Sequence, residues 1–295
     1  MQKHFQKALD SVQPQTLYIV ATPIGNLADI TLRALAVLQT VDLVCAEDTR
    51  VTGRLLAYFG IEKRVERLDE AVIAQRAPRI VERVEAGETI AFCSDAGMPG
   101  VSDPGARLIA EAQARGVPCI VLPGASAAAT AYVASGIAAP RYYFGGFFPR
   151  KQGERRDALK ALAALDAALV FYESPHRVVA ALEAVAHVFP ERDVAVCREL
   201  TKLHEEVFKG PAQDVLREFS ERETHGAIRG EITLVVGPPT PDEADRDQEE
   251  LRHAAVDRAR ELLSDPSVSK KDIVRMLKSE FGMGRNEAYE LVHAL

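Results

Sequence analysis

Residues 90–105 read I-A-F-C-S-D-A-G-M-P-G-V-S-D-P-G, and the fold class follows from them. The uncharged apolar run at 90–93 predicts a strand buried on both faces, and the glycines and prolines behind it end that strand abruptly. A loop therefore begins where a parallel strand stops. In open α/β sheets ligands sit at that carboxyl edge, and glycine lets the backbone come close to a ligand because no Cβ intervenes. The loop also carries two carboxylates, Asp95 and Asp103. A phosphate cradle needs bare N–H groups and positive potential, so this loop suits a cation or a hydroxyl-rich ligand instead. The spacing of Gly97, Gly100 and Gly105 is not G-x-G-x-x-G, and G-x-x-x-x-G-K-[ST] is absent from the chain. A loop that merely turns the chain is the competing reading.

Outward from this stretch the same unit repeats. Residues 17–21 predict a strand that breaks at T-P-I-G-N, and Asp29 or Thr31 caps a helix to about Gln39 with Leu32, Leu35 and Leu38 on its inner face. Residues 41–45 form the next strand, ending in A-E-D-T-R, so Glu47, Asp48 and Arg50 leave the same sheet edge as Asp95. A polar helix at 71–86 precedes the central strand. A helix at 106–114, a strand at 119–122 and the P-G-A-S-A opening of a small-residue helix follow it. Composition shifts at 138–140 into a second α/β unit. Its strands are placed at 142–148, 168–172, 194–197, 207–209 and 231–236, and its helices at 159–165 and 212–221, with a third showing Val178, Leu182, Val185 and Phe189 on one face. Residues 149–157 read as a mobile basic loop or helix start.

Residues 1–15 read as a loosely ordered N-terminus, 16–137 as one α/β domain, 138–238 as a second and 239–250 as an acidic linker. Residues 251–295 read as a helical appendage of three short amphipathic helices, with S-V-S-K-K-D at 267–272 as an N-terminal signal. The appendage is either a helix-turn-helix or a packing and partner-binding module, for it balances eight basic against seven acidic residues.

The chain of 295 residues is 47% apolar and 27% charged, as in ordinary soluble proteins. It has no run long enough to cross a bilayer and no apolar signal-peptide core, which predicts a cytoplasmic location and no membrane partner. The four cysteines lie in apolar strand-like runs without C-x-x-C spacing, an argument against disulfides and against a metal site. A net charge of −7 offers no global attraction to nucleic acid, so RNA binding needs a local basic patch. One lies at 141–160, where six basic residues against two acids interleave with aromatics.

Together T-P-I-G-N-L-A-D, A-E-D-T-R, S-D-A-G-M-P-G-V-S-D-P-G, P-G-A-S-A, G-F-F-P-R-K, F-Y-E-S-P-H-R and R-E-L-T-K resemble the tetrapyrrole methylase superfamily. Within it they resemble the branch of bacterial 16S rRNA cytidine 2′-O-methyltransferases. The likeness spans residues 17–237. It implies a two-domain α/β enzyme, usually a homodimer, that binds S-adenosylmethionine between its domains. It further implies methylation of a ribose hydroxyl in 16S rRNA, naked or in an assembled small subunit. By the resemblance, Ile24 contacts the cofactor from the first loop, Asp95 and Met98 from the central loop, and Ser126 and Ala127 from the third. Tyr172 or Glu173, Glu199 or Leu200, and Ile232 contribute the adenine and ribose side. The first loop departs from the superfamily's G-x-G-x-G-D form, with Ala21, Pro23 and Asn26 at two glycine positions and the acid.

The chemistry of the residues agrees on one point. A cleft lined by Asp95, Asp103, Glu47 and Asp48 suits a sulfonium with an ammonium group better than a pyrophosphate. An in-line transfer to a hydroxyl gains from holding the oxygen opposite the sulfur and from a base that takes the proton. Glu173 and Glu47 are the base candidates, with His176 as a rival; a helix cap is the competing role for E-S-P-H-R. Arg50, Arg150, Lys151, Arg155, Arg177 and Arg198 are the candidates for holding phosphates, and Phe147 and Phe148 for supporting the loop or stacking on an extruded base, with core packing as their competing role. Two alternatives stay open: a precorrin-type tetrapyrrole C-methyltransferase, and a non-catalytic RNA-binding ribosome-assembly module.

Overall fold

The computed structural model describes residues 2–226, 228–265 and 268–295. In chain order the elements are α1 (Gln2–Leu9), β1 (Leu17–Val20), α2 (Leu32–Thr40), β2 (Leu43–Ala46), α3 (Thr49–Tyr58), β3 (Val65–Arg67), α4 (Glu70–Glu85), β4 (Ile90–Cys93), α5 (Ala106–Ala114), β5 (Cys119–Leu122) and α6 (Ala127–Ala134). There follow β6 (Tyr142–Phe147), α7 (Gln152–Ala161), β7 (Ala168–Glu173), α8 (Val178–Val188), β8 (Asp193–Arg198), β9 (Glu206–Pro211), α9 (Ala212–Thr224), β10 (Ile232–Val236), α10 (Pro241–Leu263), α11 (Lys270–Phe281) and α12 (Arg285–Ala294).

The strands β3-β2-β4-β1-β5 pair in that order, all parallel. β4 is buried at every position, as its unbroken apolar run requires of a central parallel strand. One layer packs Leu17, Ile19, Leu43, Cys45 and Phe92 against α4 and α5. The other packs Tyr18, Val20, Val44, Ala91 and Cys93 against α2. Thr31 caps α2 by accepting from the Ala34 amide, but its buried face is Ala34, Val37 and Leu38, while Leu32 is exposed. Leucine spacing overstated that face because small alanines fit the close approach to the sheet.

The second sheet runs β6-β7-β10-β8-β9 and is mixed: β6 and β7 are parallel, the other pairs antiparallel. The small side chains of α6 let it lie against this sheet, where Ala128 and Ala131 pack with Val170, Ala195, Cys197 and Val235. The helix that follows the last strand of the first sheet thus packs one face, Ala128 and Ala131, on the second. Both sheets belong to one compact unit, residues 1–159 and 167–237; residues 160–166 and 238–295 make another.

Several elements differ from the sequence reading. Residues 2–9 are helical instead of loose, and α3 and β3 were not foreseen. α7 starts at Gln152, so most of the basic segment is helix, and only Arg155 and Leu159 on it are buried. The proline-rich, acidic stretch read as a linker is the first part of α10. Thr240 and Glu243 form a reciprocal capping box there, with Pro241 at the first position, where a missing N–H costs nothing. Of the S-V-S-K-K-D signal, Ser267 lies outside the described residues; Ser269 caps α11 by accepting from the Asp272 amide.

In the helical unit α10, α11 and α12 share a core of Ala255, Ala259, Leu262, Ile273, Leu277, Ala288 and Val292. Among the described residues no helix is long and apolar enough to cross a membrane.

Candidate active site

The loops that leave β1 and β4 are neighbours at the carboxyl edge, and they join: Thr22 and Gly97 exchange both backbone hydrogen bonds, at 2.9 and 3.0 Å. This is the point where the chain reverses direction across the sheet. β1 leads toward β2 on one side, whereas β4 leads to β5 on the other. Gly105 closes the β4 loop at φ +141°, and a Cβ there would sit 3.1 Å from both the Gly100 amide and the Phe92 ring. No other residue fits this close a backbone crossing.

From the second sheet, β6 is irregular between Phe144 and Phe147. At Gly145 a Cβ would fall 2.2 Å from the Phe171 ring. Beyond the bulge, strand alternation sends the consecutive residues Phe147 and Phe148 to opposite sides. Phe148 is buried against Phe171, so it is core and no stacking platform, whereas Phe147 is 60% exposed and packs edge-on to Tyr172.

These loops wall a cavity of about 310 Å³. Ile24, Met98, Ser126, Ala127, Tyr172, Glu173 and Ile232 all line it, as do Val101, Asp103 and Phe147. An adjoining cavity of about 450 Å³ shares Ile24 and includes Asp95, Thr52, Arg54 and Lys202. Two buried oxygens without a hydrogen-bond partner, Glu173 Oε2 and Thr52 Oγ1, belong to these walls. Buried polar atoms are ordinarily satisfied, so the Thr52 hydroxyl marks a place where a ligand's polar atom would be welcome, whereas Glu173 Oε2 faces Arg155.

The electrostatics are acidic. Burial, with Glu47 and Asp95 nearby, pushes the Asp103 carboxyl up to about 7. Burial likewise raises Glu47, which accepts from the Asp95 amide while Asp95 accepts from the Asp48 amide. Arg50 holds Asp48 well below the usual carboxylate range through hydrogen bonds. Like charges that raise one another's proton affinity are relieved by a bound cation. The apolar sides at Ile24, Met98, Val101 and Phe147 suit a thioether and a ring. A sulfonium donor carrying a base therefore fits what is present.

Other sequence candidates fall elsewhere. Glu173 lines the cavity, but its Oε1 is 2.6 Å from Arg177 and its Oε2 3.7 Å from Arg155. Glu47 and His176 do not line it. Glu199 holds Lys202 at 2.8 Å and accepts from the Glu231 amide, while Leu200 is buried in the core that also contains Ile24. Neither lines either cavity. Arg155 is a correction: it is 3% exposed, donates to the Pro149 carbonyl and faces Glu173, so no phosphate reaches it. Arg177 and Arg198 are engaged by Glu173 and Glu206. Arg50, Arg150 and Lys151 are exposed, Arg50 beside Asp48 and Lys151 beside Glu154. Asp103, expected among the acids of the cleft, lines the cavity as expected, although it was not among the base candidates. Thr52 lies in the helix that was missed.

The architecture is that of two-sheet α/β methyltransferases. The methyltransferase CobJ superposes with a TM-score of 0.57 at 19% identity over 76% of this chain and 94% of that one. Uroporphyrin-III-C-methyltransferase from Thermus thermophilus gives 0.55 at 23%, over 76% and 94%. In sequence, residues 16–216 match the family model of Tetrapyrrole (Corrin/Porphyrin) Methylases. The chain is 44% identical to the Ribosomal RNA small subunit methyltransferase I of Neisseria meningitidis serogroup A, over 80% of this chain and 81% of the relative. It is 43% identical to that of Escherichia coli O157:H7 (87% and 88%) and 38% identical to that of Synechocystis (93% and 96%). The chain belongs to the tetrapyrrole methylase family. It is a methyltransferase, and the methyl donor of its relatives is S-adenosylmethionine.

Proposed function

We propose that this chain methylates the 2′-hydroxyl of a cytidine ribose in 16S rRNA of the small ribosomal subunit, with S-adenosylmethionine as donor. The shared name of relatives 38–44% identical over four-fifths or more of the chain carries the small-subunit rRNA part of the reading, and the motif resemblance carries the cytidine 2′-hydroxyl. The acidic cavity supports it chemically. Residues 16–137 and 138–238 are the two catalytic halves in this proposal, and the enzyme works in the cytoplasm as a homodimer. The exposed apolar side chains Val121, Val133, Tyr142 and Tyr143 support a self-association surface.

When bound, the donor supplies an electrophilic methyl carbon on a sulfonium. Ile24, Met98, Ser126, Ala127, Tyr172 and Ile232 hold it, with Asp95, Glu199 and Leu200 shaping the wall from outside the main cavity. Asp103 serves as proton acceptor for the ribose hydroxyl, because it faces the cavity with a proton affinity matched to neutral pH. Glu173 braces the wall through Arg155 and Arg177, and Glu47 sets the charge around Asp95 and Asp103. Arg50, Arg150 and Lys151 meet the RNA backbone, and Phe147 is the aromatic available to a displaced base.

The test is transfer of a labelled methyl group from S-adenosylmethionine to 16S rRNA, followed by mass spectrometry of the nucleosides. The expected product is 2′-O-methylcytidine. Label on a base carbon, or on a tetrapyrrole in place of RNA, would overturn the proposal.

A further inference from the structure

Outside the catalytic unit, α11 and α12 enclose a groove of about 750 Å³. Lys270, Lys271, Arg275, Lys278 and Arg285 line it, against one acid, Asp272. That acid is occupied locally, accepting from the Ser269 hydroxyl at 2.6 Å and facing Arg275 at 3.1 Å. Lys271, Lys278 and Arg285 are exposed and, among the described residues, face no acid within ion-pair distance.

Helical spacing puts these charges on one face. Lys271, Arg275 and Lys278 are four and three residues apart, and Arg285, Tyr289 and His293 are successive four-residue steps. Tyr289, 55% exposed, stacks on His293 with ring centroids 3.9 Å apart, and the His293 ring is held by the Tyr289 carbonyl at 2.9 Å. The helices meet at Gly282-Met283-Gly284, where Gly282 takes a left-handed conformation. A chain of net charge −7 thus collects cations around a prearranged aromatic step. An acidic peptide would ask for apolar anchors, and Val274 is the main aliphatic lining residue. A polyanion with stackable bases matches both halves of the groove.

We infer that this groove is a second RNA-binding site, one that grips a single-stranded or looped segment of the substrate away from the reacting ribose. The inference rests on the RNA acceptor proposed above.

The experiment uses the full chain, a fluorescently labelled 16S rRNA transcript, and titrations over a range of salt. Replacing Lys271, Arg275, Lys278 and Arg285 together by glutamine is expected to weaken RNA binding at least tenfold. The slope of log affinity against log salt should become shallower by roughly 3, at about 0.7 per lost phosphate contact. Calorimetric affinity for S-adenosylmethionine should stay unchanged. Two exposed single changes guard against misfolding of the quadruple variant. Lys278→Gln should reduce the slope alone, and Tyr289→Ala should lose several-fold affinity that Tyr289→Phe restores. Unchanged RNA affinity and slope in these variants would overturn the inference, as would selective loss of a ribosomal protein's binding in place of RNA's. Absence of methyl transfer to RNA by the unaltered enzyme would instead overturn the acceptor reading, leaving the titrations to decide the groove.

Discussion

Asp103 shows how little of a residue's chemistry its identity conveys. Its folded proton affinity, near pH 7, lies far above the ordinary aspartate value of about 4. The native state therefore keeps a proton the unfolded chain has released, so folding stability falls as pH rises from about 4 to 7. Asp103→Asn should flatten that dependence in thermal melts across the window. As the acceptor of a ribose proton Asp103 acts only when ionised, so methyl transfer at limiting donor should rise through about pH 7, and with donor bound the rise should come at lower pH because the cation favours the carboxylate. The asparagine variant should be slower by roughly 10² to 10⁴ and lack the inflection. Persistence of the inflection would remove Asp103 from the reaction. A cationic donor favours the carboxylate, so binding near pH 7 should release protons; calorimetry in buffers of different ionisation enthalpy measures them. Glu173 matters through its ion pairs. Its side chain is fully buried, and it is the anion facing Arg155, itself 4% exposed. Glu173→Ala should destabilise the fold by roughly 3–5 kcal/mol in urea melts. A loss below about 1 kcal/mol would show the pair to be no more than a surface contact.

Among elements, those with a strong period or clear punctuation were legible. α5 and β5 lie at the residues expected, and α8 buries Val178, Leu182 and Val185 on the expected face. α3 escaped notice because T-R-V-T-G-R-L-L-A-Y mixes a glycine with β-branched residues and buries only Thr52, Leu55 and Leu56. The start of α10 differs from the sequence reading because proline and acids are also the composition of linkers. At a helix N-terminus those same residues stabilise the first turn. The β6 bulge was equally hidden, since G-G-F-F gives no sign that the Phe171 ring lies over Gly145. Gly145→Ala should cost about 1–3 kcal/mol by forcing that ring off its rotamer, measured by thermal unfolding. Because the bulge also aims Phe147 into the cavity, methyl transfer should fall more than stability alone accounts for.

At the scale of the whole molecule, the strand-edge loops and the composition shift at 138–140 were enough to foresee two α/β sheets; of the four acids expected to line one cleft, Asp95 and Asp103 line the cavities while Glu47 and Asp48 do not. The mixed order of the second sheet was not foreseeable, because period-two and buried-strand patterns do not say which strands pair or in which direction. Nor was the burial of α6 by the second sheet, which brings the third loop against β7 and β10.

The amino-acid order alone determined where strands stop to within a few residues and which loops carry glycine and acid, for these are local properties of spacing and charge. Only the tertiary structure decided that Asp103 faces the cavity while Glu47 stays behind it, that Arg155 is buried, and that the tail's cations share a groove. Solvent access and proximity between distant residues arise from packing, and no local pattern encodes them.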